Sequence, residues 1–314
     1  MKSPMPVMEQ LWKTREAIYM IDAKENAKTQ EEMLVPRHSI DKMLTSATFF
    51  NIQVAWDTYR LDSPMRPEDL GVLRLPYPQM WMEWQVSRDQ YDRYGDTSQE
   101  EAKGMPSVNW AVVVSELSRE DVASMEKWDA ETRYMAPEAN SRILVELFQT
   151  YPKWPTMVWY SVAVSAFDID AQGRYVRDLI ITTSEVDENM VDQIRVASHI
   201  TGHALTLINC KNVTTDDKHR ITFSRSGTEK RRGIPARKIK YHTIVLPGGG
   251  STWDRKTGRH RAAALHRVRG HTKTFTADKP LMGKHVGTYW WGWQVRGSAD
   301  NGIVVSDYEM GEKR

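Results

Sequence analysis

The 314-residue chain contains a single cysteine, Cys210. That excludes an internal disulfide and a cysteine-cluster zinc site, and makes the reducing cytoplasm the expected compartment. No run of roughly eighteen apolar residues occurs, so a membrane span and a membrane partner are not expected. The opening MKSPMPVMEQLWKTREA lacks the apolar stretch of a secretory signal. The most uneven shortage is of acidic residues. Residues 218–296 carry 3 Asp+Glu against 19 Lys+Arg, a net +16, whereas residues 1–217 carry 34 against 22, a net −12. The tail, 297–314, has 4 against 2, and the whole chain comes to only +2. Such an imbalance between halves points to a polyanion as partner, or to two halves that neutralise each other by docking.

The length suits two domains, or one large domain with appendages. The expected fold class is α+β: N-terminal helices, a mostly antiparallel sheet with a packed helix, and a β-rich basic C-terminal region. Residues 7–34 read as one helix and 39–61 as a second. Met80 to Gln85 alternates as a strand, with Met80, Met82 and Trp84 on one face and Trp81, Glu83 and Gln85 on the other. The polar stretch 87–107 reads as a loop, and Asn109–Leu117 as a buried strand. Charged helical sequence follows to about Arg133, and 141–150 (SRILVELFQT) reads as a short helix. MVWYSVAVSAFDID and RYVRDLIITT both alternate across Ala171-Gln172-Gly173, which predicts a β-hairpin with Gly173 free to take positive φ. A helix then runs from a cap at Ser184 to about Asn209, burying Met190, Ile194, Ala197, Ala204, Leu205 and Ile208. The composition changes near 211. Residues 1–210 form an acidic α+β domain and 211–314 a basic β-rich region, whose strand Lys240–Leu246 is a candidate to return to the first sheet.

Several constellations invite chemistry. His199 and His203 share a helix face, but the glutamate of a zinc-protease helix is replaced by Ile200 and no third ligand follows by spacing. Both point away from the apolar stripe, toward solvent or another part of the fold. Gly248-Gly249-Gly250 follows a strand but lacks the lysine of a phosphate-binding loop, so a hairpin tip is expected, with Trp253 to Arg261 as a basic arm. The clusters Lys230-Arg231-Arg232 and Arg237-Lys238 read as solvated. His260, His266, His271 and His285 are too unevenly spaced to define a metal site, and no metal or cofactor is assigned.

The densest signal lies between Arg261 and Gly297. Arg267, Arg269, His271 and Lys273 alternate along a potential strand, a cationic ladder able to track phosphates. Lys284 and Arg296 continue the positive character. Trp290, Trp291 and Trp293 either stack on bases or close a small β-core. The expected nucleic-acid-binding set is therefore Arg267, Arg269, His271, Lys273, Lys284, Trp290, Trp291 and Arg296, with RNA and DNA both open. Two alternatives stand beside it. One is a metal-dependent, nuclease-like enzyme using Glu83 with Asp168 or Asp170. For Glu83 the plainer reading is a strand-face carboxylate paired with an arginine. The other is a protein-interaction role without nucleic-acid binding, with the acidic N-terminal half as the contact surface.

The C-terminal motifs resemble those of a group of phage and mobile-element proteins without an established activity. The resemblance is carried by His266-Arg267-Val268-Arg269-Gly270-His271, Pro280-Leu281-Met282-Gly283-Lys284, Gly287-Thr288-Tyr289-Trp290-Trp291 and Val295-Arg296-Gly297-Ser298. Leu75-Pro76-Tyr77-Pro78-Gln79-Met80-Trp81-Met82-Glu83 is similar to the group's N-terminal part. Gln294 stands where the group often has histidine, so no role is built on a second histidine there. The resemblance covers about a third of the chain. It implies a phage or prophage origin, and with it the cytoplasm of a bacterial host; on the interaction reading the protein would be a virion component or a host-factor inhibitor, with a host or phage protein as partner.

Overall fold

The computed structural model describes residues 7–14, 17–20, 35–59, 70–86, 108–126, 128–150, 158–182, 188–217, 220–222, 231, 238–246, 264–268, 271–291, 294–296 and 298–303. Its centre is a mixed sheet flanked by helices, an α+β fold. The strands β3 (Gln79–Val86), β4 (Val108–Ser118), β5 (Ala139–Thr150), β6 (Trp159–Asp170) and β7 (Tyr175–Thr182) run antiparallel in sequence order. Outside β3, β2 (Thr48–Asn51) and then β10 (Lys238–Val245) add in parallel. Short strands finish the edges. The strand β1 (Ile18–Met20) pairs in parallel with the start of β6, while β8 (Thr214–Asp216) and β9 (Arg220–Thr222) pair antiparallel with β10. The expected return of the 240–246 strand to the first sheet is met by β10.

Both faces of this sheet are covered. Met80, Met82 and Trp84 share one core with Val112, Val114, Ile143, Val145, Leu147, Phe167 and Ile169, beneath α3 (Gln53–Thr58) and α6 (Glu188–Ile208). Trp81, Ala111, Val113 and Phe148 face the opposite way, into a core closed by Val7, Met8 and Leu11 of α1 (Val7–Thr14) and Ile40 and Leu44 of α2 (Arg37–Ser46). The alternation expected of Met80–Gln85 is thus observed, and each face of the strand has its own apolar partner. The hairpin at 171–173 is also as expected, with Gly173 at φ +80°.

Three expectations of helix are overturned. Residues 141–150 lie in β5, not a helix; a strand buried on both faces reads as a continuous apolar run, which periodicity cannot tell from a buried helix. The first helix stops at Thr14, and Ile18–Met20 is drawn into parallel pairing with β6. The second is cut by β2: Thr48-Phe49-Phe50 is β-prone, and Asn51 Oδ1 accepts from the Gln53 amide (3.0 Å) to start α3 afresh. The charged segment after β4 resolves into α4 (Arg119–Ala123), capped reciprocally by Ser118 and Asp121, and α5 (Ala130–Arg133), capped by Asp129. The loop 87–107, the Ser184 cap, the glycine run 248–250 and the arm 253–261 lie outside the described residues.

The C-terminal part adds two small sheets. In one, β11 (Ala264–Val268) lies between β14 (Gln294–Arg296) and β15 (Ser298–Ile303). The other is the antiparallel pair β12 (His271–Phe275) and β13 (Gly287–Trp291).

Candidate nucleic-acid interface

The β12–β13 hairpin is fastened to the C-terminal end of α6. Just past the helix, the Lys211 amide donates to the Thr288 carbonyl (2.9 Å). The Asn212 side chain imitates a neighbouring strand, its Nδ2 donating to the Trp290 carbonyl (2.7 Å) and its Oδ1 accepting from the Trp290 amide (2.8 Å). Period-two alternation then decides what each side chain does. Thr288 and Trp290 turn inward. Trp290 joins the core beneath α6, 7% exposed, its indole meeting the His203 ring edge-on at 5.9 Å. Thr288 Oγ1 lies 2.8 Å from Thr274 Oγ1, and the backbone of Gly71 comes so close that a Cβ there would stand 3.2 Å from the Thr288 methyl. Gly287 takes φ +126°, with the Lys211 chain folded across it.

The opposite face of the hairpin points away from that core, its rings half-buried against one another and Lys273 exposed. Phe275, Tyr289 and Trp291 form a three-ring cluster: Phe275 and Trp291 are 5.6 Å apart at 42°, and Tyr289 stands edge-on to both, at 6.1 and 6.5 Å. The exposed Lys273 carries its ammonium 5.2 Å from the centre of the Phe275 ring, a cation–π contact. The connection between the strands adds exposed Lys279, Lys284 and His285, and exposed Met282 at φ +51°. Asp278 is the acid within this turn. Among the described residues, no carboxylate forms a salt bridge with Lys211, Lys273, Lys279 or Lys284; further along, Lys240 does pair with Asp217.

Of the eight expected binding residues, Lys273, Lys284 and Trp291 are found around this face. His271 sits opposite Trp291 in the register, Arg267 lies in β11, and Arg296 pairs with His266 in the neighbouring small sheet. Arg269 lies outside the described residues. Two corrections follow. Arg267 and Lys273 do not share one strand, because Ala264–Val268 and His271–Phe275 belong to different sheets; the single cationic ladder is broken. Trp290 does not offer its ring to a base, since the hairpin docks by that side chain. Phe275, Tyr289, Lys211 and Lys279 were not among the expected set. The alternation of HTKTF with GTYWW carries the signal for the first two, Lys279 belongs to the turn of the same hairpin, and Lys211 is brought in only by the docking.

The other constellations resolve into structure. His199 and His203 face α3: His203 Nε2 lies 2.9 Å from the Thr58 hydroxyl and His199 Nδ1 3.1 Å from the Tyr59 hydroxyl. Desolvation holds His199 below its ordinary pKa. Glu83 is buried, and among the described residues no arginine pairs with it, contrary to its plainer reading. Its Oε1 accepts from the Met8 amide (2.7 Å) and its Oε2 from the Tyr241 hydroxyl (2.6 Å). Burial pushes its pKa from 4.5 up to about 7, the tyrosine and the amides of the first turn of α1 opposing the rise. Asp168 lies elsewhere, held by Arg142 (2.6 and 3.0 Å) and Arg177 (2.9 Å). Glu83 is in register, through Ala111, with Phe148, whereas Asp168 is in register with Arg142, roughly 20 Å further along β5 at strand spacing. Asp170 is engaged by Arg174. The carboxylate set of the nuclease alternative is therefore not assembled. Among the described residues, no group of three or more His, Cys, Asp or Glu is placed to hold a metal ion, and no helix is long and apolar enough to cross a membrane.

No protein family, curated protein or solved structure matches the chain.

Proposed function

We propose that this protein binds nucleic acid through the outer face of the β12–β13 hairpin and the basic sequence around it, in the cytoplasm of a bacterial host and as part of a phage or mobile element. The observation that carries the reading is the division of labour within one hairpin. Thr288 and Trp290 are spent on docking, while Lys273, Phe275, Tyr289 and Trp291 are directed away from the core. Cations beside flat rings suit a phosphate backbone with accessible bases. The net +16 of residues 218–296 supplies a field that draws a polyanion to the same region.

The reading predicts binding that weakens with salt. Each phosphate contact contributes about 0.7 to 0.9 to the slope of log affinity against log salt. Reversing Lys273 and Lys284 to glutamate together is expected to lower the affinity and to flatten that slope by roughly 1.5. Fluorescence anisotropy of a labelled oligonucleotide across a salt series measures both. A slope unchanged in the double variant would remove these lysines from the interface. A ratio of absorbance at 260 to 280 nm that is the same after purification at low and at high salt would speak against nucleic acid altogether.

A further inference from the structure

We infer that the ligand of this face is single-stranded nucleic acid, read by stacking on Phe275, Tyr289 and Trp291 in place of hydrogen bonding to base edges. The inference rests on the nucleic-acid reading above and narrows it. Duplex bases hide their faces in a stack of about 3.4 Å repeat and show a protein only their edges, a pattern of donors and acceptors. Phenylalanine has nothing to offer such a pattern, and tryptophan has a single donor. The centres of these three rings are 5.6 to 6.5 Å apart, wider than the repeat of stacked bases, and Tyr289 is turned 70° and 78° from the other two. Successive bases meeting these rings must therefore be unstacked and turned independently, which a single strand allows and a duplex does not.

The cations are placed to match. Lys273 holds its ammonium 5.2 Å from the centre of the Phe275 ring and Lys284 lies in the exposed turn between the strands, so that a strand whose bases lie on the rings has ammonium groups for its phosphates. The two faces of the hairpin also separate binding from folding. Trp290 anchors the hairpin from behind, so the outer rings can be altered while the docking contacts of Trp290 and Thr288 remain.

The test uses the full chain with two fluorescein-labelled probes, a ~20-nucleotide oligo(dT) strand and a ~20-base-pair duplex, both read by anisotropy across the same salt series, which starts at low salt. Trp291→Ala is expected to weaken oligo(dT) binding by roughly tenfold or more, because a base–ring stack is worth that much, and to leave both the salt slope and duplex binding unchanged. Trp291→Leu keeps apolar bulk on the strand and removes the flat ring; it is expected to show the same loss, and it serves if the alanine variant melts at a lower temperature. Equal affinity of the wild type for strand and duplex, or wild-type affinity for oligo(dT) in both variants, overturns the single-strand inference and leaves nucleic-acid binding standing. Failure of the wild type to bind either probe at low salt overturns both.

Discussion

The same sheet buries two carboxylates at well-separated places and neutralises them by different means. At the β5–β6 end, Asp168 is fully enclosed and meets the guanidinium of Arg142, itself fully enclosed, and that of Arg177. The two arginines also donate to the Tyr134 carbonyl, and Arg142 to that of Thr132, so the excursion carrying α4 and α5 is tied down by the ion cluster. Toward the other edge, the partners of Glu83 among the described residues are neutral, chiefly the Tyr241 hydroxyl and the Met8 amide. Its charge has no cation to offset desolvation, and a proton does that work instead. Both sites are closed and hydrogen-bonded, yet an ion pair balances the charge at one and a proton at the other. Burial alone does not set the charge of an acid; the identity of its neighbours does.

The comparison breaks most severely at Asp168. Replacing it with alanine leaves Arg142 charged in the core with only carbonyls to accept from it, and should cost about 3–5 kcal/mol in urea unfolding. A loss under 1 kcal/mol would mean that water reaches Arg142 without difficulty.

The next effect belongs to Glu83 and depends on pH. Its folded pKa, about 7, lies above the ordinary 4.5, so between those values the folded protein holds a proton that the unfolded chain has released. Stability from this group is fully present below pH 4.5, falls as the pH rises toward 7, and levels off above it. The total is about 3 kcal/mol. Glu146, on the same face and bonded to the Tyr160 hydroxyl (2.6 Å), is also raised by burial and adds a trend of the same sign. Glu83→Gln separates the two, because the difference in unfolding free energy between variant and wild type should change with pH by Glu83's share alone. A difference that stays constant from pH 5 to 8 would place the Glu83 carboxylate in contact with water or a cation.

The smallest effect sharpens the comparison further. Tyr241→Phe removes a hydrogen bond that favours the charged form, so it should move the Glu83 transition to higher pH and destabilise by about 1 kcal/mol at pH 8, with a smaller loss at pH 5. The shift is measurable in the same unfolding series. Movement to lower pH would contradict the assigned role of the hydroxyl.

Local pattern was enough wherever an element's periodicity and its neighbours agreed. The strand around Trp81 to Trp84, the β6–β7 hairpin and the long helix α6 were all legible in this way. It failed where a distant partner decided the outcome. Ile18–Met20 is a strand because β6 lies beside it, and SRILVELFQT is a strand because helices cover both sides of it. The site shows the same division. Alternation in GTYWW requires Trp290 and Trp291 to point opposite ways, yet nothing local says which one the core receives; Asn212 and His203 decide that from across the fold. Glu83 stood out as an acid among tryptophans, but Tyr241 and the start of α1 are too far away in sequence to be named as its partners.

The parallel pairing of β10 with β2 has a consequence for biosynthesis. Phe49 and its register partner Tyr241 are separated by roughly 190 residues, which a ribosome translating at about 5–20 residues per second takes on the order of 10–40 s to make. Through that interval the open flank of β2, with Phe49 and Phe50 on it, waits for a strand not yet synthesised. A nascent chain held at that stage is the form of this protein most in need of a chaperone.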